Sequence, residues 1–123
     1  SILLIVAIVL TASIFTGCSK PTTPEATLKE FLKRVEKNDI SATELLQNGI
    51  KSDSDRENFE RNISASSSKI KEQGGIKEII IRNVDINDDR AKVYYTIVFN
   101  NGEEEKDARA KLTKENGEWK LNN

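Results

Sequence analysis

The chain has 123 residues and a net charge of −1, with no histidine and a single cysteine. This composition excludes catalytic triads, histidine-based acid–base relays, the usual zinc sites and an intramolecular disulfide. A nucleic-acid-binding face needs clustered positive charge, so the near-neutral balance predicts no nucleic-acid partner.

The first 18 residues carry no charge, and residues 2–15 are almost entirely Ile, Leu, Val, Ala and Phe. As a helix rising about 1.5 Å per residue, this run would span roughly 21 Å, short of a bilayer core of about 30 Å. That length is typical of the apolar region of a signal peptide. We therefore expect residues 1–17 to be a signal peptide, truncated at its N-terminus in this sequence.

A lone cysteine follows the apolar run directly, and the small residues Thr16 and Gly17 precede it. This pattern resembles a bacterial lipobox. The resemblance implies cleavage between Gly17 and Cys18 and attachment of diacylglycerol to the Cys18 thiol, with residues 18–23 forming the lipidated cysteine and a short tether. Two or three acyl chains hold a protein stably on a membrane, whereas one chain binds only marginally. The alternatives are an ordinary secretory signal with an incidental cysteine and a short membrane anchor.

A lipid anchor of this kind predicts an extracytoplasmic location in a bacterial cell envelope. In a Gram-negative cell, Ser19 after the cysteine favours the inner leaflet of the outer membrane. In a Gram-positive cell, the domain would lie at the outer face of the cytoplasmic membrane.

The folded part begins with a predicted helix. Thr23-Pro24-Glu25 combines a hydroxyl N-cap, proline at the first helical position and an acid near the positive end of the helix dipole. Asn38-Asp39 is expected to end the helix. Between these signals one apolar stripe has helical spacing: Leu28, Phe31, Leu32 and Val35.

Two further helices are predicted from the S-x-x-E capping pattern. The first is short, starts at Ser41 and carries Leu45 and Leu46. The second starts at Ser54 and stops before Gly74-Gly75. Its serine-rich stretch at 64–68 is a poor helix former and could fray or bend the helix.

Four strands follow, separated by turn signals at 87–89, 101–102 and 116–117. The run Ile79-Ile80-Ile81 breaks the alternation of the first strand and indicates a bulge or two covered faces. The later strands alternate cleanly and predict these inward side chains: Val93, Tyr95, Ile97, Phe99, Ala108, Ala110, Leu112, Trp119 and Leu121. The layout predicts one α+β domain over 24–123, with N-terminal helices packed on a four-stranded antiparallel meander.

The helix opening at 23–25, the Phe31-Leu32 helix and the closing segment 111–121 resemble the nuclear transport factor 2-like (cystatin-like) superfamily. More narrowly, the chain is similar to small bacterial lipoproteins that carry a domain of unknown function. The resemblance implies a cone in which the curved sheet and the first helix enclose a pocket. Members use this pocket for catalysis or for ligands, and some dimerise through the outer face of the sheet.

The side chains expected to line such a pocket are Phe31, Val35, Tyr95, Ile97 and Trp119. The Tyr95 hydroxyl could polarise a carbonyl, but every Asp falls at a helix end, in a turn or on an outward position, so we predict no catalytic residue. The leading hypothesis is a non-catalytic binding module for a small apolar ligand, a peptide or another envelope protein. The first alternative is an isomerase-like or hydrolase-like enzyme that uses the pocket through Tyr95.

Tyr94, Thr96 and Val98 are predicted on the opposite face of the sheet, beside Arg109 and Lys111. This mixed apolar and basic surface is either an ordinary outer face or a protein contact, including a homodimer. It supports a second alternative, a structural or immunity-type lipoprotein that acts through the outer face.

Asp85, Asn87 and Asp89 match the first three ligand positions of a calcium loop. The match then fails, because Arg90 stands where the loop needs glycine and Thr96 where it needs a bidentate glutamate. We predict a turn here, with no metal and no cofactor.

Overall fold

The computed structural model describes residues 21–123. The helices come first along the chain and the strands follow. The signal peptide, Gly17 and Cys18 lie outside the described residues. Within them, no helix has the length and apolar character needed to cross a membrane. The helices are α1 (Pro24–Glu36), a 3₁₀ helix (Ile40–Leu45) and α2 (Asp53–Glu72), and the strands are β1 (Ile76–Asn87), β2 (Arg90–Phe99), β3 (Glu104–Glu115) and β4 (Glu118–Leu121).

The strands pair in chain order as one antiparallel sheet, which confirms the predicted α+β class with its four-stranded meander. The start of α1 is also as predicted. Thr23 is the N-cap, and its Oγ1 accepts a hydrogen bond from the Ala26 N–H at 3.2 Å. Asn38 adopts a left-handed backbone (φ 57°) just after α1, which stops the helix there.

The capping predictions for the other two helices are wrong by two residues. Asp39, not Ser41, caps the 3₁₀ helix, because its side chain accepts the Ser41 N–H at 2.9 Å. Ser52, not Ser54, caps α2, and its Oγ accepts the Asp55 N–H at 3.1 Å.

The serine-rich stretch of α2 does not interrupt the helix, which is continuous from Asp53 to Glu72. Ser67 explains why: it is buried and donates a hydrogen bond to the Glu36 carbonyl oxygen at 2.9 Å. The Glu36 carboxylate also accepts the Ile76 N–H at 2.9 Å. The end of α1 therefore holds both α2 and the start of β1.

Two apolar clusters form the core. One joins α1 to the inner face of the sheet, and its buried members are Leu28, Ala91, Val93, Leu112, Trp119 and Leu121. The other joins α1, the 3₁₀ helix and α2 through Val35, Ala42 and Ile63.

Bulges shape the sheet. The β1–β2 register shifts after Ile76 and after Ile81, so the irregularity predicted in β1 is confirmed. Ala108, Ala110 and Leu112 pair with inward residues of β2, as predicted for β3, but beyond Ala108 the β2–β3 register shifts between Tyr95 and Ile97. Asp107 adopts a left-handed backbone (φ 58°) at this point. One extra residue reverses the side-chain parity, which places Glu105 opposite Ile97 on the inner face.

The last strand covers only part of its neighbour. Asn116 and Gly117 both have positive φ (52° and 80°), as the tight hairpin turn requires. β4 then pairs with Leu112–Glu115 and stops. Within residues 21–123, the edge of β3 from Glu104 to Ala110 has no strand beside it, and we call this segment the free edge.

Candidate functional site

A cavity of about 650 Å³ lies between α1, α2 and the inner face of the sheet, and it extends to the free edge. α1 contributes the stripe that the sequence predicted as its apolar face: Leu28, Phe31, Leu32 and Val35. β2 contributes Tyr95, Ile97 and Phe99 from alternate positions of its inner side. Both walls are therefore apolar.

α2 forms the third wall with one helical stripe. Its apolar members are Phe59, Ile63 and Ile70. Its polar members are Asn62, Ser66, Lys69 and Gln73. Of these four, the first three are exposed and Gln73 is half-buried, so α2 presents an apolar strip bordered by solvent-exposed polar side chains.

The inner-face residue of β3 that lines the cavity is Ala110, whose small side chain leaves room beside β2. Val93 pairs with Ala110 and Tyr95 with Ala108, and both alanines are only half-buried. β4 ends before reaching them, so no neighbouring strand fills the space with larger side chains. Glu105, Arg109, Ala110 and Lys111 line the cavity at this border.

Four of the five predicted lining residues reach the cavity: Phe31, Val35, Tyr95 and Ile97. The fifth, Trp119, does not line this cavity, so its prediction is wrong. It is 6% exposed and packs in the cluster between α1 and the sheet. The Lys114 Nζ lies 5.8 Å from its ring centroid. Trp119 sits on β4, at the end of the sheet where the inner face is already filled.

The Tyr95 hydroxyl is the polar group that β2 presents to the cavity. Burial raises the pKa of its phenol, and the nearby Glu105 carboxylate raises that pKa further. The phenol is therefore neutral near pH 7 and offers a hydrogen-bond donor to an occupant of the cavity.

Glu105 was missed because the spacing of Ala108, Ala110 and Leu112, continued toward residue 104, places it outward with Arg109, whereas it lies exposed at the border of the cavity. The left-handed Asp107 was the available signal, since Asp tolerates that conformation better than most residues. The α2 wall was missed because helical periodicity alone does not say which side of the cavity a helix occupies.

The predicted partner face is also altered. Tyr94 and Val98 are half-buried. Thr96 between them is only 1% exposed, and its Oγ1 accepts a hydrogen bond from Arg82 Nε at 3.3 Å. Thr96 is thus withdrawn from any contact surface, although its parity is outward.

The turn that resembled a calcium loop is a turn between β1 and β2, with Asp88 at φ 54°. Among the residues from 21 onward, no cluster of three or more His, Cys, Asp or Glu side chains is arranged to hold a metal ion.

Comparison with known proteins gives a family and a fold. The family described as "Domain of unknown function (DUF4878)" matches residues 16–122. Among curated proteins, none matches the chain significantly.

Nine chains of solved structures match this chain significantly, and they include the following two. One is a candidate NTF2-like transpeptidase from Campylobacter jejuni, with 26% identity, a TM-score of 0.71, and coverage of 82% of this chain and 98% of that one. The other is a SEC-C motif containing protein from Rhodopseudomonas palustris, with 14% identity, a TM-score of 0.57, and coverage of 91% and 84%. The first supports a nuclear transport factor 2-like fold, and the second is a likeness of fold alone.

Proposed function

The chain belongs to the DUF4878 family, a domain of unknown function with a nuclear transport factor 2-like fold, and from this premise we propose that it is a membrane-anchored envelope lipoprotein with a non-catalytic binding domain. The ligand site is the cavity between α1, α2 and β2. Its occupant is a small apolar ligand, a peptide or a segment of another envelope protein.

The cavity itself carries this proposal. Its volume of about 650 Å³ is within the range of ligand sites, and its α1 and β2 walls are apolar while polar side chains border it on α2 and β3. Leaving such a surface wet is costly, at roughly 25 cal/mol for each Å² of apolar area, so an apolar occupant would recover that free energy.

Native mass spectrometry of the mature protein, released from its own host's envelope, tests the cavity. We expect an additional mass from a retained ligand, and we expect Ala110→Leu to abolish it because the larger side chain occupies the space. Ala65→Leu, on an exposed position of α2 outside this cavity, is the matched control and should keep the mass. A bare chain in both the parent and the control would contradict the ligand site.

Replacing Cys18 with Ala tests the anchor. The lipobox resemblance rests on residues 15–18 and on the apolar run before them. We expect the variant to remain unprocessed and to lack acyl chains, as judged by mass and by metabolic labelling with a palmitate analogue. Ser19→Ala should be processed normally. A Cys18→Ala protein that is cleaved and membrane-bound as usual would overturn this part of the proposal.

One observation favours an enzyme as the second candidate. Tyr95 and Glu105 both line the cavity, and their electrostatic coupling gives an acid and a base at one site. The Campylobacter jejuni relative is named for transpeptidation, which usually proceeds through an activated nucleophile. That activity is a property given for the relative and is not carried over to this chain. Turnover that is unchanged in Tyr95→Phe would eliminate an enzyme that acts through Tyr95.

A further inference from the structure

A second hollow, of about 380 Å³, lies at the end of the sheet beside the β1–β2 turn, and we call it the outer hollow. Ala91 and Leu112 also border it, and both belong to the inner cluster, so the residues next to them along β2 and β3 lie on the outer face. The outer-face residues that line it come from all four strands and the residue after β4: Asp85, Asn87, Arg90, Lys92, Lys111 and Asn122.

Lys111 is surrounded on this face by other cations. Lys92 is its cross-strand partner, Arg90 lies diagonally from it on β2, and Arg109 is two residues away on β3. Like charges in such positions repel and destabilise a sheet. Within residues 21–123, none of these four cations forms an ion pair. The folded chain therefore keeps a repulsion that a bound anion would relieve.

One acid lines the outer hollow, and the other acids near it lie beyond its border. Asp85 on β1 is the acid in the lining, which therefore has three cations and one carboxylate, a net charge of +2. Asp88 and Asp89 follow in the turn and do not line the hollow. On β4, Glu118 is next to Lys120, with 3.4 Å between its Oε1 and the lysine Nζ.

Two amides add neutral groups to this lining. The Thr113 hydroxyl donates a hydrogen bond to Asn122 Oδ1 at 2.8 Å. In the part of the chain that the structure describes, the Asn122 Nδ2 hydrogens have no acceptor. Asn87 is exposed at the other side of the hollow, on β1. A surplus of donors, charged and neutral, is what the oxygens of an oxyanion require.

We propose that the outer hollow binds the phosphate group of a phosphate monoester, held by Arg90, Lys92 and Lys111. A phosphate monoester carries nearly two negative charges at pH 7, which matches the lining, and its three terminal oxygens accept charge-assisted hydrogen bonds. The volume of the hollow leaves room for the organic group that carries the phosphate. This site goes beyond the proposed function, because it lies on the other face of the sheet from the apolar cavity, although Lys111 and Asn122 border both.

The probe is radiolabelled glycerol 3-phosphate, measured by equilibrium dialysis against the full chain in phosphatidylcholine nanodiscs, with empty nanodiscs as the baseline. We expect saturable binding that weakens as NaCl is added, since salt screens exposed charges. Dimethyl phosphate has one negative charge and should compete about fivefold more weakly. Succinate carries two charges on separate carboxylates and should also compete poorly.

Substitutions of exposed residues test the charges in both directions. Lys111→Gln should weaken binding about fivefold, because it removes one of the three cations. Asp85→Asn should tighten binding about twofold, because it removes the repelling carboxylate. Lys106→Gln is the matched control: Lys106 is an exposed lysine of β3 outside the hollow, and its change should leave the affinity as it is.

The stability of the unliganded chain gives an independent readout. Lys111→Gln removes repulsion among the four cations, so its thermal unfolding midpoint should rise while its affinity falls. A lysine whose role is merely structural would show the opposite change in stability. A variant that loses both stability and binding would therefore overturn the assignment of Lys111 to an anion site.

The source of the phosphate is tested in nanodiscs that also contain phosphatidic acid, a lipid with a phosphate monoester headgroup. Loss of glycerol 3-phosphate binding there means that the lipid headgroup occupies the hollow, whereas unchanged binding assigns the site to a free phosphate monoester. Three results overturn the proposal: no binding of the probe together with no difference between the two kinds of nanodisc in lysine reactivity at Lys92 and Lys111, equal losses in Lys111→Gln and Lys106→Gln, or competition by succinate as strong as that of unlabelled glycerol 3-phosphate.

Discussion

The inner face of the sheet is packed at one end and open at the other, although the same strands build both ends. At the packed end, Ala91, Val93 and Leu112 meet α1 and β4, and each is 4% exposed or less. At the open end, Tyr95, Ile97 and Phe99 face the cavity. An alternating strand pattern therefore specifies an inner face without specifying whether that face becomes core or cavity.

The neighbouring elements determine whether the inner face becomes core or cavity. β4 adds Trp119 and Leu121 beside Leu112 and closes the packed end. At the open end no strand lies beside β3 within residues 21–123, and α2 packs mainly on α1 and the 3₁₀ helix rather than on the sheet. The bond between Ser67 and Glu36 fixes α2 to α1 in this position. α2 is thus held as a wall of the cavity instead of collapsing onto β2.

The largest effect that tests this difference is a cavity-creating substitution at the packed end. Leu28 reaches the cavity but is 2% exposed and belongs to the packed cluster, so Leu28→Ala should lower the free energy of unfolding by about 3 kcal/mol. Leu32 lies one turn further along α1, is half-buried and lines the cavity, so Leu32→Ala should cost about 1 kcal/mol. Urea denaturation of the 19–123 domain, followed by the fluorescence of Trp119, measures both. Equal losses would mean that the open end is packed as tightly as the other.

A medium effect is expected from adding volume instead of removing it. Ala91 is buried opposite Leu112, so Ala91→Leu should destabilise the domain by about 2 kcal/mol through overpacking. Ala110 occupies the next inner position of β3 and lines the cavity, so Ala110→Leu should change the stability by less than about 1 kcal/mol. The same denaturation experiment compares them. A large loss from Ala110→Leu would show that the cavity has no room for three more carbon atoms.

Most of the architecture was predictable from local signals. The cap at Thr23, the apolar stripe of α1 and the Asn116-Gly117 turn each act over a few residues, and the structure has all three as predicted. The same holds for four cavity residues, since Phe31, Val35, Tyr95 and Ile97 follow from helical or strand periodicity alone.

The errors at the site have three different causes, which are a register shift, a contact between strands and the length of a strand. The shift between Tyr95 and Ile97 brings Glu105 inward, and no apolar pattern marks it. Thr96 lies on the outer face as predicted, but its hydroxyl accepts a hydrogen bond from Arg82. Residue spacing does not encode this contact between strands. Trp119 is inward as predicted, but the length of β4 places it in the core. The site is therefore set by where strands shift and stop.

The smallest predicted effect concerns Tyr95, at the border between the two ends. Its raised pKa means that the folded chain keeps a phenolic proton which the unfolded chain releases, so this residue stabilises the fold fully below pH 10.0, the ordinary value, and the stabilisation is lost as the pH rises toward the folded pKa. An ultraviolet absorbance titration in a Tyr94→Phe background, which leaves Tyr95 as the only tyrosine, measures that pKa directly. Glu105→Gln should lower the pKa but leave it above the ordinary value, because burial is the larger cause. A pKa that falls fully to the ordinary value in Glu105→Gln would instead mean that Tyr95 is well solvated, and that the cavity beside it is open to water.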